Sequence, residues 1–90
     1  MLFMVIENFR GEAVKAVYRR FAAKGRMLPD GVHCVSSWVA ADLSRCFQLM
    51  EAEEVVLLQQ WVAAWADLAD LEIVPVAPGT ATAQAIAGQL

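Results

Sequence analysis

Seven side chains in this chain have types and placements that could do chemistry: Glu7, Tyr18, His33, Trp38, Arg45, Trp65 and Glu72. A carboxylate enclosed by apolar neighbours is desolvated and keeps its proton to higher pH, so Glu7 or Glu72 could serve as a base while Arg45 holds an anionic group. Antiparallel pairing of the strands that carry them would bring Glu7, Arg45 and Glu72 to one end of a sheet, with Trp38 and Trp65 as aromatic walls. The plainer alternative is a rim ion pair between Arg45 and either glutamate, with both tryptophans as core. It carries the greater weight, because ion-pair networks shift pKa values without any chemistry. Tyr18 falls on the apolar stripe of a helix, where its ring packs and its hydroxyl reaches a pocket rim. His33 alone titrates near neutrality when unperturbed, which admits a general base or a haem ligand. Its place at the start of a strand, behind the turn Pro29-Asp30-Gly31, reads more simply as surface or interface.

Other chemistries are excluded by what the chain lacks. It has no CxxC, HExxH, GxxxxGK or GxSxG, and one histidine cannot build the usual zinc site, so neither a metal nor another cofactor is expected. His33 and Ser37, read as sharing a face of an unbroken strand, would stand roughly 13 Å apart, beyond hydrogen-bond reach, which sets a hydrolase aside. By the same count Cys34 and Cys46 fall on opposite faces of a hairpin and are expected to remain free thiols. Six of the seven cations precede Leu28 and eight of the ten acids follow Pro29. With a net charge of −3 and no interleaving of exposed aromatic and basic residues, the basic stretch reads as a solvated helix face, and a nucleic-acid partner is not expected. Apolar runs fall well short of the roughly 20 residues that span a bilayer. Met1–Ile6 carries no basic leader, and a cytoplasmic protein is the expectation.

The elements that must position these residues are legible from periodicity. Leu2–Phe9 is apolar on both faces until Glu7, the pattern of a central strand. A helix opens at Gly11, with Val14, Val17, Tyr18 and Phe21 as its stripe, Glu12 at its start and Lys24-Gly25 at its end. Val32–Glu51 forms a β-hairpin turning near Asp42. A second helix begins at Glu53-Glu54, with one stripe at Val55, Leu58, Val62 and Trp65 and another at Leu57, Trp61 and Leu68. Leu71–Val76 makes a fourth strand, and Pro75 puts it at an edge. The tail from residue 79 to Leu90 is a marginal helix or an arm laid on a neighbour, outside a single domain of residues 1–78.

The order β-α-β-β-α-β predicts an α+β fold, a ferredoxin-like antiparallel sheet with two helices on one face and strands one and three at its centre. At 59% hydrophobic residues in 90, more apolar surface is present than one small core hides, and strands apolar on both sides need a cover for the bare face. A second copy is the economical cover, so a homodimer is expected. The segments MLFMVIENF, VYRRF, KGRMLPDG, SWV, RCFQLME and LEIVPV resemble a family of short, uncharacterised bacterial proteins within the dimeric α+β-barrel superfamily. That resemblance covers Met1 to about Val76 and implies the dimeric barrel, without an established activity. The superfamily spans cofactor-independent monooxygenases, isomerase-like enzymes, haem-handling proteins and plain binding proteins. The expectation is a small homodimer binding a hydrophobic or anionic ligand between sheet and helices; the alternative is a cofactor-independent enzyme using the same pocket.

Overall fold

Burial alternates along Leu2–Phe9 (β1), and that alternation fixes the layers of the molecule. In the computed structural model, which describes residues 1–90, Phe3, Val5 and Glu7 are buried, while Leu2, Met4 and Ile6 on the opposite face are half-buried. Val14–Lys24 (α1) follows, then His33–Val39 (β2), Arg45–Glu51 (β3), Val55–Trp65 (α2), Ala69–Val76 (β4) and Gly79–Ile86 (α3), with a 3-10 turn at Ala87–Gln89. The sheet has the order β2-β3-β1-β4 and every pairing is antiparallel. This α+β arrangement is compatible with a ferredoxin-like fold.

One face of the sheet carries the core. Phe3, Val5 and Met50 point into it, Val17 of α1 and Leu58, Trp61 and Trp65 of α2 close over it, and Val32 and Ala52 plug its ends. Both α1 and α2 therefore lie on the same side. Arg20 ties them together: its guanidinium donates to both carboxylate oxygens of Asp67, at 2.8 and 2.6 Å, and to the Ala64 carbonyl at 3.0 Å. No helix is long and apolar enough to cross a membrane.

The hairpin turns where the sequence indicates. Ala40 N–H donates to the Arg45 carbonyl at 2.9 Å, and the Asp42 carboxylate accepts from the Ser44 amide at 3.0 Å and its hydroxyl at 2.6 Å. Those two bonds hold the Asp42 carboxyl below the usual carboxylate range.

A β-bulge alters the outer strand. Cys34 pairs with Met50 but Ser36 pairs with Leu49, so two residues of β2 stand opposite one of β3 and the facing of the strand changes there. Two expectations are corrected by it. His33 and Ser37 do not share a face: His33 pairs with Glu51 on the open side, and Ser37 with Gln48 on the helix side. Cys34 and Cys46 do share a face, and they remain free thiols because Met50, opposite Cys34, stands four positions along β3 from Cys46. An unbroken alternation gives the wrong parity for everything before the bulge.

Smaller differences follow from local chemistry. The first helix begins at Val14, and Glu12 lies in the preceding turn where Gly11 takes φ 52°. In the second helix the buried residues are Leu58 and Trp65 from the first expected stripe and Trp61 from the second, while Val55 faces solvent at 46% exposure. β4 is an edge strand, and Pro75 in it accordingly has no ladder donor to lose on the open side. The tail does form a helix, α3, but every residue from Val74 to Leu90 is exposed, and the molecule stretches to 49 Å in its longest dimension.

The fully buried Leu58 tests this packing. Leu58→Ala should lower unfolding free energy by about 2–5 kcal/mol through lost transfer energy and the cavity left behind. Urea denaturation checks it, and a change under 1 kcal/mol would show the helix layer is not packed as described.

Candidate functional site

The candidate residues divide between the two faces of the sheet, and register decides how. Glu7 pairs with Cys46 on one side and Leu71 on the other, and all three point toward the helices. Arg45 and Glu72 are each one position along from those partners, so each points to the opposite face. Trp38, paired with Phe47, joins them there and is 52% exposed. The expected cluster of Glu7, Arg45 and Glu72 does lie at one end of the sheet, but the sheet itself runs between its members. Arg45 neither grips a ligand beside Glu7 nor pairs with either glutamate; its guanidinium lies 5.1 Å from the Phe47 ring centroid. His33 sits at the other end, beside Glu51 and Glu53 at a polar surface depression. Glu7, Tyr18 and Trp65 are brought together.

They border a cavity of about 230 Å³ between sheet and helices. Its walls are mostly apolar, with Phe9, Val17, Phe21 and the two indoles of α2, Trp61 and Trp65. Its polar end is built from Glu7, Gln48, Ser37 and Arg26. Arg26, which sequence reasoning treated only as part of a basic stretch, stands at the cavity's polar end where Arg45 was expected. Its Nε donates to Gln48 Oε1 at 3.0 Å and its Nη2 to Ser37 Oγ at 3.2 Å, while Gln48 Nε2 donates to Glu7 Oε1. Because a guanidinium has no acceptor, the Gln48 carbonyl must face Arg26 and its amide nitrogen must face Glu7. The side chain of Gln48 is thereby fixed, and one carboxyl oxygen of Glu7 is occupied.

The segment carrying Arg26 is itself anchored. Both indole N–H groups of α2 donate to the Arg26 carbonyl, Trp61 at 2.8 Å and Trp65 at 3.0 Å. On either side of it, Gly25 takes φ 66° and Met27, a non-glycine residue, takes φ 58°. This left-handed backbone is unfavourable for methionine and is held by the surrounding bonds. The Arg26 guanidinium also lies 5.3 Å from the Phe21 ring centroid.

Burial dominates the electrostatics. Desolvation pushes the Glu7 carboxyl above the ordinary value of 4.5, opposed by the Gln48 hydrogen bond and by the Arg26 charge. Desolvation, with Glu7 nearby, pushes the Cys46 thiol up to about 11, and Tyr18 is raised for the same leading reason. Both therefore keep their protons at neutral pH. No three His, Cys, Asp or Glu side chains are grouped so as to hold a metal ion.

Two consequences can be measured. A raised carboxyl pKa means that the folded chain retains a proton where the unfolded chain has released it, so the associated stability is full below pH 4.5 and is lost as pH rises through the folded value. Wild-type stability in urea should therefore decline from pH 5 to pH 8, and Glu7→Gln should flatten that decline; parallel slopes would show that Glu7 is not the group responsible. Cys46 should resist iodoacetamide at pH 7.5 in the native protein and react once unfolded, as mass spectrometry of the labelled peptide would report.

Gln48 and Ser37 were missed for want of any motif. The one signal available was parity, since Gln48 is two positions from Cys46 and hence on the face of Glu7. No curated protein matches the chain. A family model described as a domain of unknown function, DUF3303, matches residues 1–90, and the chain belongs to that family.

Proposed function

We propose that the protein is a homodimer that binds a small, mainly apolar molecule in the cavity between its helices and its sheet, without transforming it. The observation that carries the binding reading is the cavity with Glu7 at its polar end. Glu7 is only 4% exposed, and its second carboxyl oxygen has no protein partner, yet no buried side-chain oxygen or nitrogen is sealed off unbonded. That oxygen therefore opens onto the cavity. A carboxyl buried with half its hydrogen-bonding capacity unused is poorly placed for stability and well placed for a ligand. Catalysis is the weaker reading, since burial keeps Tyr18 and Cys46 protonated and so supplies no ionised nucleophile or second base beside Glu7.

Pairing of two copies through the open face of the sheet supports the dimer, in the manner of a dimeric α+β barrel. That face carries Met4, Ile6, Phe47 and Leu49 on the central strands, with Trp38 and Val74 beside them. Arg45 and Glu51 stand at opposite ends of β3 on this same face. A two-fold axis lying in the interface and crossing β3 at Gln48 would set Arg45 of each copy against Glu51 of the other, twice, around an apolar centre. In the reducing cytoplasm, where we place the protein, Cys34 and Cys46 stay free.

Light scattering at micromolar concentration should give twice the mass of one chain. Arg45→Glu and Glu51→Arg should each shift the population toward monomer, and the double exchange should restore the dimer; a stable monomer in the wild type would end this reading. For the cavity, benzamide titrated by NMR should move the signals of Val17 and the Trp61 and Trp65 indoles, and Val17→Phe should abolish the effect. Shifts scattered over the open face, or none at millimolar benzamide, would remove the binding reading.

A further inference from the structure

We infer that the cavity takes a small aromatic carboxylate, its ring against Trp61, Trp65 and Phe21 and its carboxylate gripped between Arg26 and the free oxygen of Glu7. This rests on the binding reading above and specifies its ligand.

Three features of the cavity point to that class. Arg26 has two of its donor groups engaged, Nε with Gln48 and Nη2 with Ser37, and its Nη1 has no protein partner. An apolar ligand would leave those N–H groups unanswered, a neutral acceptor would answer them less strongly than an anion does, and a cationic ligand would be repelled. The helix bordering the cavity, α1, carries Lys15, Arg19 and Lys24 beside the Asp67-paired Arg20 and no acid, so the approach is biased toward anions. The apolar part is aromatic and of the right size. Cavities of about 150 Å³ accept benzene, and this one, at about 230 Å³, has room for a ring with a carboxylate attached.

The proton balance follows from the geometry. Gln48 occupies Glu7 Oε1, so Oε2 meets the ligand. An ionised Glu7 would repel an incoming carboxylate, whereas a protonated one donates its O–H to one ligand oxygen while Arg26 Nη1 donates to the other. The groups facing Glu7 are Arg26 from the loop before β2, Cys46 and Gln48 from β3, Ser37 from β2 and Tyr18 from α1; β4 offers Leu71 and α2 offers the two indoles, none of which titrates. Cys46 and Tyr18 stay neutral, so Glu7 is the group whose protonation the ligand requires. The upward displacement of its pKa by burial works in the same direction. Binding thus takes up one proton above that pKa, and affinity falls about tenfold per pH unit there.

Calorimetry on the intact chain, with benzoate and its neutral isostere benzamide as probes, decides the matter. At pH 5.5 benzoate should bind about tenfold more tightly than benzamide. As pH rises that advantage should shrink, and buffers of unlike ionisation enthalpy should report uptake of one proton. Arg26→Met should remove the preference and Arg26→Lys should keep part of it, with the urea unfolding midpoint of each variant as the control for folding. Glu7→Gln should bind benzoate with little pH dependence. Equal affinity for the two probes at every pH would overturn the carboxylate class and leave the binding reading standing; failure of both probes to bind at millimolar concentration would overturn both.

Discussion

One backbone carbonyl holds the candidate site together. The oxygen of Arg26 accepts from Trp61 and Trp65 at once, and the side chain of the same residue continues through Gln48 to Glu7. A helix, a connecting loop and the two central strands are thereby joined by hydrogen bonds in a single chain of contacts. Each indole N–H would otherwise be buried without a partner, which is among the more expensive faults a small core can carry. The loop must therefore come to α2, and Gly25 and Met27 adopt left-handed backbone to let it do so.

This constraint explains why the cavity exists. With Arg26 drawn beneath α2, its guanidinium occupies space that an apolar side chain would fill in an ordinary two-layer α+β core. α1 then rests on the sheet with Val17 as its one buried residue, and Tyr18 and Phe21 are left 44% and 40% exposed beside the opening. The helix is held instead from its outer side by Arg20, whose bidentate bond to Asp67 and position 5.4 Å from the Trp65 ring fix the spacing of α1 and α2. A void flanked by a clamp on one side and an anchored loop on the other is a mechanically defined space rather than slack packing.

The fold was open to sequence reasoning because its strongest signals are local. Alternation in Leu2–Phe9, the turn at Asp42, proline in the last strand and the apolar stripe of the second helix each specify an element without knowledge of the others. The site was half legible. Glu7 stands out as a charge inside an apolar strand, and Trp65 belongs to a stripe, but Arg45 was assigned to the wrong side because topology gives the end of a sheet and only register gives its face. Arg26 had no signal of its own: its role depends on two indoles 35 and 39 residues further along the chain. The shared face expected of His33 and Ser37 fails at the bulge, since one inserted residue reverses facing and nothing in the residues Cys34-Val35-Ser36 announces it.

Glu7 and Arg45 mark two differently built faces of one sheet. On the helix side a carboxyl is withdrawn from water, and its charge is discouraged by burial more strongly than it is encouraged by Arg26. A leucine at that position would pack with Val5 and Leu71 without such a penalty, so the acid is a net burden on a domain of this size, whose margin of stability is only a few kcal/mol. On the open side no such burden exists: Arg45 and Glu51 lie in solvent at the ends of an apolar strip, where exposed charges add little to the stability of the single chain. Stability of the isolated domain therefore accounts for neither arrangement. On the reading proposed above, each is matched by something that arrives from outside: a small acid that completes the hydrogen bonds of Glu7 and Arg26, and a second sheet that covers the strip between Arg45 and Glu51.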